Sequence, residues 1–167
     1  MMVNIWLALS LCLPAWLPQE PPGQMRMQVI VGFHPVYINP EQPSALVMFT
    51  LPDDVDVQGP AFLLYKADRV RLSFDRIYLN PQVPTPENPT CGVPDGRDMN
   101  RDYLVTFLEE VVGGTEKSSY ALIRPGLLRP GLNRLLICEE GYDDDDGLFD
   151  SFSVNQIILV YTIRSKR

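Results

Sequence analysis

The sequence predicts an all-β fold, a sandwich or barrel of about eight short antiparallel strands joined by long Pro-rich loops. The chain holds 16 prolines in 167 residues. Proline removes a backbone donor and breaks helix interiors, so that it collects in turns and at strand ends. From Met25 onward, short apolar runs are separated by Pro, Gly, Asn and Asp. A chain of this length suits one domain, which we expect to span residues 20–167.

Eight candidate strands follow from these apolar runs. In the first, apolar residues from Met27 to Phe33 alternate imperfectly with polar ones and with glycine, which predicts a strand partly buried on both faces. From Val70 to Phe74 apolar and polar residues alternate regularly, so that one face of this strand is expected to be exposed to solvent. The other candidates cover residues 44–51, 61–66, 70–79, 103–112, 120–123, 132–139 and 152–163.

The residue patterns of two runs allow more specific predictions. In 103–112, aromatic and valine side chains recur at helical spacing, but several β-branched residues favour a strand, and we predict a strand there. In 152–163, the apolar phase changes between Val154 and Ile157. This change predicts a bulge at Asn155–Gln156.

The net charge argues against a nucleic-acid partner. The formal charge is −7, whereas the neutralisation of phosphates takes clustered Lys and Arg. The basic residues Arg164, Lys166 and Arg167 stand at the C-terminus, where charges typically favour solubility.

The N-terminal segment is uncharged and apolar. Residues 1–19 carry no charged side chain, and Ile5 to Leu13 form an apolar run that is followed by Pro14 and Ala15. A run of roughly 7 to 15 residues is typical of a signal peptide and is too short to span a bilayer, which takes about 20. We therefore predict a signal peptide within 1–19, a secreted or periplasmic protein, and no membrane span in the mature chain. An uncleaved anchor and a buried first element are the alternatives.

Three segments in the second half of the chain resemble one family of β-sandwiches. They are residues 75–80 (DRIYLN), 127–137 (LLRPGLNRLLI) and 150–159 (DSFSVNQIIL). In this order they resemble the galactose-binding-domain-like modules, which are jelly rolls often appended to carbohydrate-active and cell-surface proteins. The resemblance covers a little over half of the chain. It implies a jelly-roll module that binds a ligand, carbohydrate in particular, without catalysing a reaction.

The second of these segments also has a direct physical interpretation. Pro130 presets its own φ and Gly131 accepts a positive φ, which together predict a tight turn. Asn133 can then hydrogen-bond locally before the strand begins. Leu135 and Ile137 are expected to share one face of that strand.

Catalytic machinery is not recognisable in the sequence. His34, the only histidine, stands beside Pro35, and a lone histidine at a strand end is typically structural or solvated. The cysteines lack the paired spacing of a zinc site, and an acidic chain offers too many carboxylates to identify an acid and base pair. We expect no enzymatic activity and no catalytic cofactor. A small hydrolase is the remaining alternative.

The run 143–147 (DDDDG) is the most concentrated charge in the chain. Oxygen ligands in a loop suit calcium, which would stabilise the loop and perform no chemistry. Its ligands would be Asp143, Asp144, Asp146 and Asp150. Adjacent aspartates point in different directions, however, so that a solvated acidic loop is favoured over a calcium site. A second, weaker cluster consists of Asp53, Asp54 and Asp56.

Tyrosines are the candidate ligand-binding side chains. The face of an aromatic ring stacks on the apolar face of a pyranose, so that exposed tyrosines would provide a sugar platform. Most aromatic residues at strand spacing belong to a core, and the sequence does not distinguish core from platform. The candidates are Tyr37, Tyr65, Tyr78, Tyr120 and Tyr142.

Two cysteines remain if a signal peptide containing Cys12 is removed. Export places Cys91 and Cys138 where disulfides form and persist, which predicts a bridge between them. Cys91 stands in 80–97, a Pro-rich segment that is long for a connection and is either functional or poorly ordered. The bridge would tether this segment to the sandwich. Two free thiols are the alternative.

Together these features predict a secreted, non-catalytic ligand-binding module. A glycan, bound through loops at one end of the sandwich, is the leading ligand class. The runner-up is a structural or interaction protein of the cell envelope or extracellular space, with an extracellular protein as its partner.

Overall fold

The computed structural model describes residues 23–70, 75–82, 101–108, 111, 116–139 and 151–165. Within these ranges the all-β prediction is confirmed, since the regular elements are nine strands and one short 3-10 helix. The strands are β1 Gln24–Val31, β2 Val36–Ile38, β3 Ser44–Leu51, β4 Ala61–Asp68, β5 Arg76–Leu79, β6 Leu104–Phe107, β7 Lys117–Ile123, β8 Gly131–Cys138 and β9 Phe152–Ile163. The 3-10 helix, Arg101–Tyr103, precedes β6. In the described part of the chain, no helix is long and apolar enough to cross a membrane.

The strands form two antiparallel sheets. The first sheet has the order β1, β9, β4, β7, with β2 also paired to β9, and the second has the order β3, β8, β5, β6. Pairing is nested along the chain, because β1 pairs with β9, β3 with β8, β4 with β7 and β5 with β6. This nested order makes the sandwich a jelly roll.

The core lies between the two sheets because each strand turns one apolar side inward. In β4 the inward residues from Ala61 to Ala67 are buried, and the alternating residues face outward. Leu135 and Ile137 share the inward face of β8, as predicted, and both are fully buried. Each such side chain contributes about 1.5 to 3 kcal/mol through burial.

The turn before β8 forms as the sequence predicts. Gly131 has φ +74, which glycine adopts without a Cβ penalty. Asn133 is fully buried, and its Nδ2 donates to the carbonyls of Arg129 and Gly131 at 2.7 and 2.9 Å. Asn80, at φ +54, donates to Asn133 Oδ1 at 2.8 Å. This network fixes the end of the sandwich at which β5 ends and β8 begins.

Several predicted strands match the structure closely. The candidates at 44–51 and 152–163 coincide with β3 and β9. The predicted bulge is confirmed, since Gln156 has φ +45 and the pairing of β9 with β4 shifts register beside it. The strand predicted at 103–112 is present as β6, directly after the 3-10 helix.

Two strands differ from the expected bounds. Val70 and Asp75 are not in a strand, and the described part of the strand expected at 70–79 is β5, Arg76–Leu79. Arg69, directly after β4, has φ +62. Residues 71–74 lie outside the described residues. The first strand is the edge strand β1, which begins at Gln24, before the expected run. Within that run Gln28 and Ile30 are half-buried and Val31 is buried, whereas Met27 and Val29 are exposed and Phe33 lies outside the strand.

Candidate functional site

Four connections meet at one end of the sandwich, which we name the pocket end. They join β2 to β3, β4 to β5, β6 to β7 and β8 to β9. Two backbone hydrogen bonds tie them together, from Val111 N to Val70 O at 2.7 Å and from Glu139 N to Pro43 O at 3.2 Å. Nested pairing therefore gathers residues distant in sequence at one edge.

A cross-strand row lies on the outer face of the first sheet at this end. Tyr37 of β2 is paired with Ser153 of β9, which is paired with Asp68 of β4. Residues directly opposite on antiparallel strands project to the same face, with Cβ atoms about 5 Å apart. An aromatic ring, a hydroxyl and a carboxylate therefore stand side by side.

This row lines a cavity of about 440 Å³. The volume lies within the range of roughly 300 to 1,000 Å³ typical of small-molecule sites. Tyr37 is 62% exposed, so that its ring is accessible to a ligand. The lining residues are Tyr37, Ile38, Asn39, Asp68, Arg69, Ser151, Phe152 and Ser153.

Local backbone structure shapes two walls of the pocket. Asn39 Oδ1 accepts hydrogen bonds from the backbone nitrogens of Glu41 and Gln42 at 3.0 and 2.9 Å, which closes an Asx-type turn after β2. On the other wall, the positive φ of Arg69 turns the chain directly after Asp68. Both walls are therefore preformed by local structure.

One oxygen of the Asp68 carboxylate has no hydrogen-bond partner. Its Oδ2 lies 3.6 Å from Arg69 Nε. Its Oδ1 is buried and has no hydrogen-bond partner, an arrangement that costs free energy unless a donor reaches it. The pocket thus combines an unsatisfied acceptor, a guanidinium and an exposed ring.

A polar row separates this pocket from the rest of the sheet face. Lys66 Nζ donates to Glu116 Oε2 at 2.8 Å, and Asn155 Nδ2 donates to Glu116 Oε1 at 2.6 Å. These bonds, first that from Lys66 and then that from Asn155, hold the pKa of Glu116 below its ordinary value of 4.5. The lowered pKa means that the ionised form is favoured in the folded protein.

We expect Lys66→Met to raise the pKa of Glu116 towards 4.5. Because the folded pKa is the lower one, the ion pair stabilises the fold above the ordinary pKa, and this stabilisation is lost as pH falls through the lowered value. NMR titration of the Glu116 carboxyl measures the change. Arg164→Met is the control, because it also removes one positive charge, but from a side chain that donates to Asp53 O and not to Glu116. A Glu116 pKa that does not move in Lys66→Met would contradict the assignment.

The structure separates the candidate tyrosines into core and surface residues. Tyr65 and Tyr78 are buried, so that neither can stack on a ligand. Tyr37 is in the pocket, whereas Tyr120 is 71% exposed on β7, away from it. Tyr142 lies outside the described residues.

The calcium, disulfide and signal-peptide predictions fall mainly outside the described residues. Outside them lie Asp143, Asp144, Asp146, Asp150, Cys91 and residues 1–19. Cys138 is fully buried at the end of β8, and its pairing with Cys91 stays a prediction. Across the described ranges, no three His, Cys, Asp or Glu side chains come close enough to hold a metal ion. Asp53, Asp54 and Asp56, the weaker cluster, do not form such a group, and Asp56 Oδ1 accepts from Gln58 N at 3.1 Å.

Sequence reasoning identified Tyr37 but missed the residues beside it. Asp68 and Arg69 stand in none of the segments that the sequence singles out, and Ser153 was predicted only as part of the strand in 150–159. The signal that could have found them is the register of β2, β9 and β4, which requires long-range pairing.

A scan against protein-family models and a search of the curated proteins found no match to this chain.

Proposed function

We propose that this protein is a non-catalytic binding module that holds a carbohydrate in the pocket formed by Tyr37, Asp68, Arg69 and Ser153. The observation that carries the proposal is the cross-strand row itself, which places an exposed ring beside an unsatisfied carboxylate oxygen. The resemblance to galactose-binding-domain-like modules supports it further, since those modules share the jelly-roll architecture.

The chemistry of a pyranose suits these groups. The Tyr37 ring can stack on the apolar face of a sugar, with Ser153 hydroxyl and Asp68 Oδ1 beside it to take hydroxyl groups. A sugar hydroxyl that donates to Asp68 Oδ1 would satisfy the buried oxygen. Arg69 Nη atoms would donate to ring or hydroxyl oxygens.

Binding suits the pocket better than hydrolysis does. Asp68 is the single carboxylate among the described lining residues. Glycoside hydrolysis commonly uses a pair of carboxyl groups, one as acid and one as base or nucleophile. We therefore propose binding alone, in a secreted or periplasmic protein, as the uncharged apolar N-terminus predicts.

We expect the protein to bind one class of mono- or disaccharide, and Tyr37→Ala to weaken that binding at least tenfold. A tenfold loss corresponds to about 1.4 kcal/mol, which is within the energy of one stacked ring. Asp68→Asn keeps the shape of the side chain but removes its charge, and should weaken the same ligand. Isothermal titration calorimetry over a sugar panel measures both effects.

Tyr120→Ala is the matched control. It removes a similarly exposed tyrosine from the same sheet face, outside the pocket. Thermal melts of all three variants establish that each is folded. A panel without a binder, or equal affinity of Tyr37→Ala and the wild type, would reject the proposal.

A further inference from the structure

The outer face of the first sheet carries two apolar rows beyond the polar row at Lys66. Opposite residues on β1, β9, β4 and β7 project to this side. We name the two rows together the apolar face. The first row is Met27, Val160, Phe62 and Leu122, and the second is Val29, Ile158, Leu64 and Tyr120.

The apolar face is most exposed at its two edges, whereas Val160 at its centre is buried and Phe62, Leu64 and Ile158 are half-buried. Met27 is 75% and Leu122 is 72% exposed at its two edges, and Val29 and Tyr120 are also largely exposed. In an antiparallel sandwich, the residues that face outward are normally polar. Here the outward side repeats the apolar character of the core side, which marks an interaction surface.

We infer that the apolar face is a self-association surface, on which a second copy of this chain docks by sheet-on-sheet packing. Its four largely exposed side chains, Met27, Val29, Tyr120 and Leu122, would supply part of the roughly 800 Å² that a stable interface takes from each partner. Two copies of one sheet have the same twist, and sheets of equal twist pack face to face at a small angle. The face is therefore complementary to itself, as a two-fold interface requires.

The charge distribution favours a second copy over a lipid surface. Neither apolar row contains a charged residue, so that contact between the rows of two copies desolvates no charge within them. The chain carries a formal charge of −7, which is unfavourable at an anionic membrane. The same charge makes two copies repel one another at long range, and we expect association to strengthen as salt screens that repulsion.

Sedimentation equilibrium of the purified protein over the micromolar range tests the inference. We expect a concentration-dependent dimer that dissociates at least tenfold more readily in Met27→Lys and Leu122→Lys. Both side chains are exposed, so that neither substitution removes a core contact. Met48→Lys is the matched control, because Met48 is 64% exposed on β3 of the other sheet and should leave the dimer unchanged.

Methionine oxidation gives a readout that does not depend on the lysine variants. Peroxide converts an accessible thioether to the sulfoxide, and Met27 and Met48 are both exposed in one chain. We expect Met27 to become protected as the protein concentration rises, while Met48 is oxidised at a constant rate. Peptide mass spectrometry measures both.

Three results in the absence of lipid would overturn the inference. They are a wild-type monomer over the whole concentration range, a dimer that persists in both lysine variants, and protection of Met48 in place of Met27. Vesicles of phosphatidylcholine with phosphatidylglycerol serve as a further arm. Protection of Met27 that requires these vesicles would assign the apolar face to a lipid surface and would equally reject self-association.

Discussion

Asn133→Ala is expected to lower the free energy of unfolding by about 3 kcal/mol, since four hydrogen bonds of roughly 0.5 to 1 kcal/mol each are lost from a buried amide. Two of these are the donations from Nδ2 to Arg129 O and Gly131 O. The other two are accepted by Oδ1 from Arg129 N at 3.1 Å and from Asn80 Nδ2 at 2.8 Å. Urea unfolding measures the change, which corresponds to a fall in Tm of roughly 6 to 12 °C.

Two further variants separate hydrogen bonding from other effects. Asn39→Ala makes the same substitution at an exposed turn, where the Asn39 side chain also accepts two backbone bonds. Because water replaces those bonds, it should cost less than about 1 kcal/mol. Asn133→Leu keeps the side-chain volume but not the bonds. Wild-type stability in Asn133→Leu would show that shape alone matters at this position.

Local chemistry explains why some parts of the fold are predictable from sequence. The turn at Pro130 and Gly131 depends on the φ preferences of two adjacent residues, and the bulge at Gln156 follows from a phase change within one run. Neither depends on a distant strand. Both are present in the structure at the predicted positions.

Features that depend on long-range pairing were not predictable in the same way. β2 has three residues between two prolines, which is too short for an alternating pattern, and it forms because β9 supplies a partner. Tyr37 and Tyr65 cannot be distinguished by local pattern, yet one lies on the outer face of the first sheet and the other in the core. The pocket exists only once β2, β9 and β4 are in register.

Cys138 belongs to a small buried cluster on the outward side of the second sheet. Tyr78, Leu136 and Cys138 project outward from β5 and β8, because Tyr78 pairs with Leu136 and Cys138 pairs with Arg76. All three of Tyr78, Leu136 and Cys138 are fully buried, and Tyr103 packs against them. The sequence places Cys91 in the connection between β5 and the 3-10 helix. A bridge to Cys138 would tether that connection to the outward side of the sheet.

We expect the Cys91–Cys138 bridge to contribute about 4 kcal/mol to the free energy of unfolding, the chain-entropy value for a closed loop of about fifty residues. Cys91→Ser should therefore lower the unfolding free energy by that amount, and reduction of the wild type should lower it equally. In Cys91→Ser, reductant should have no further effect, because no bridge remains to be broken. Cys138→Ala tests the same bond from the other side, with an added cost from the small cavity left at a fully buried position. A thiol assay on unfolded, unreduced protein that finds both sulfhydryls free would reject the bridge and would weaken the prediction of export, since an oxidising compartment is what leads us to expect it.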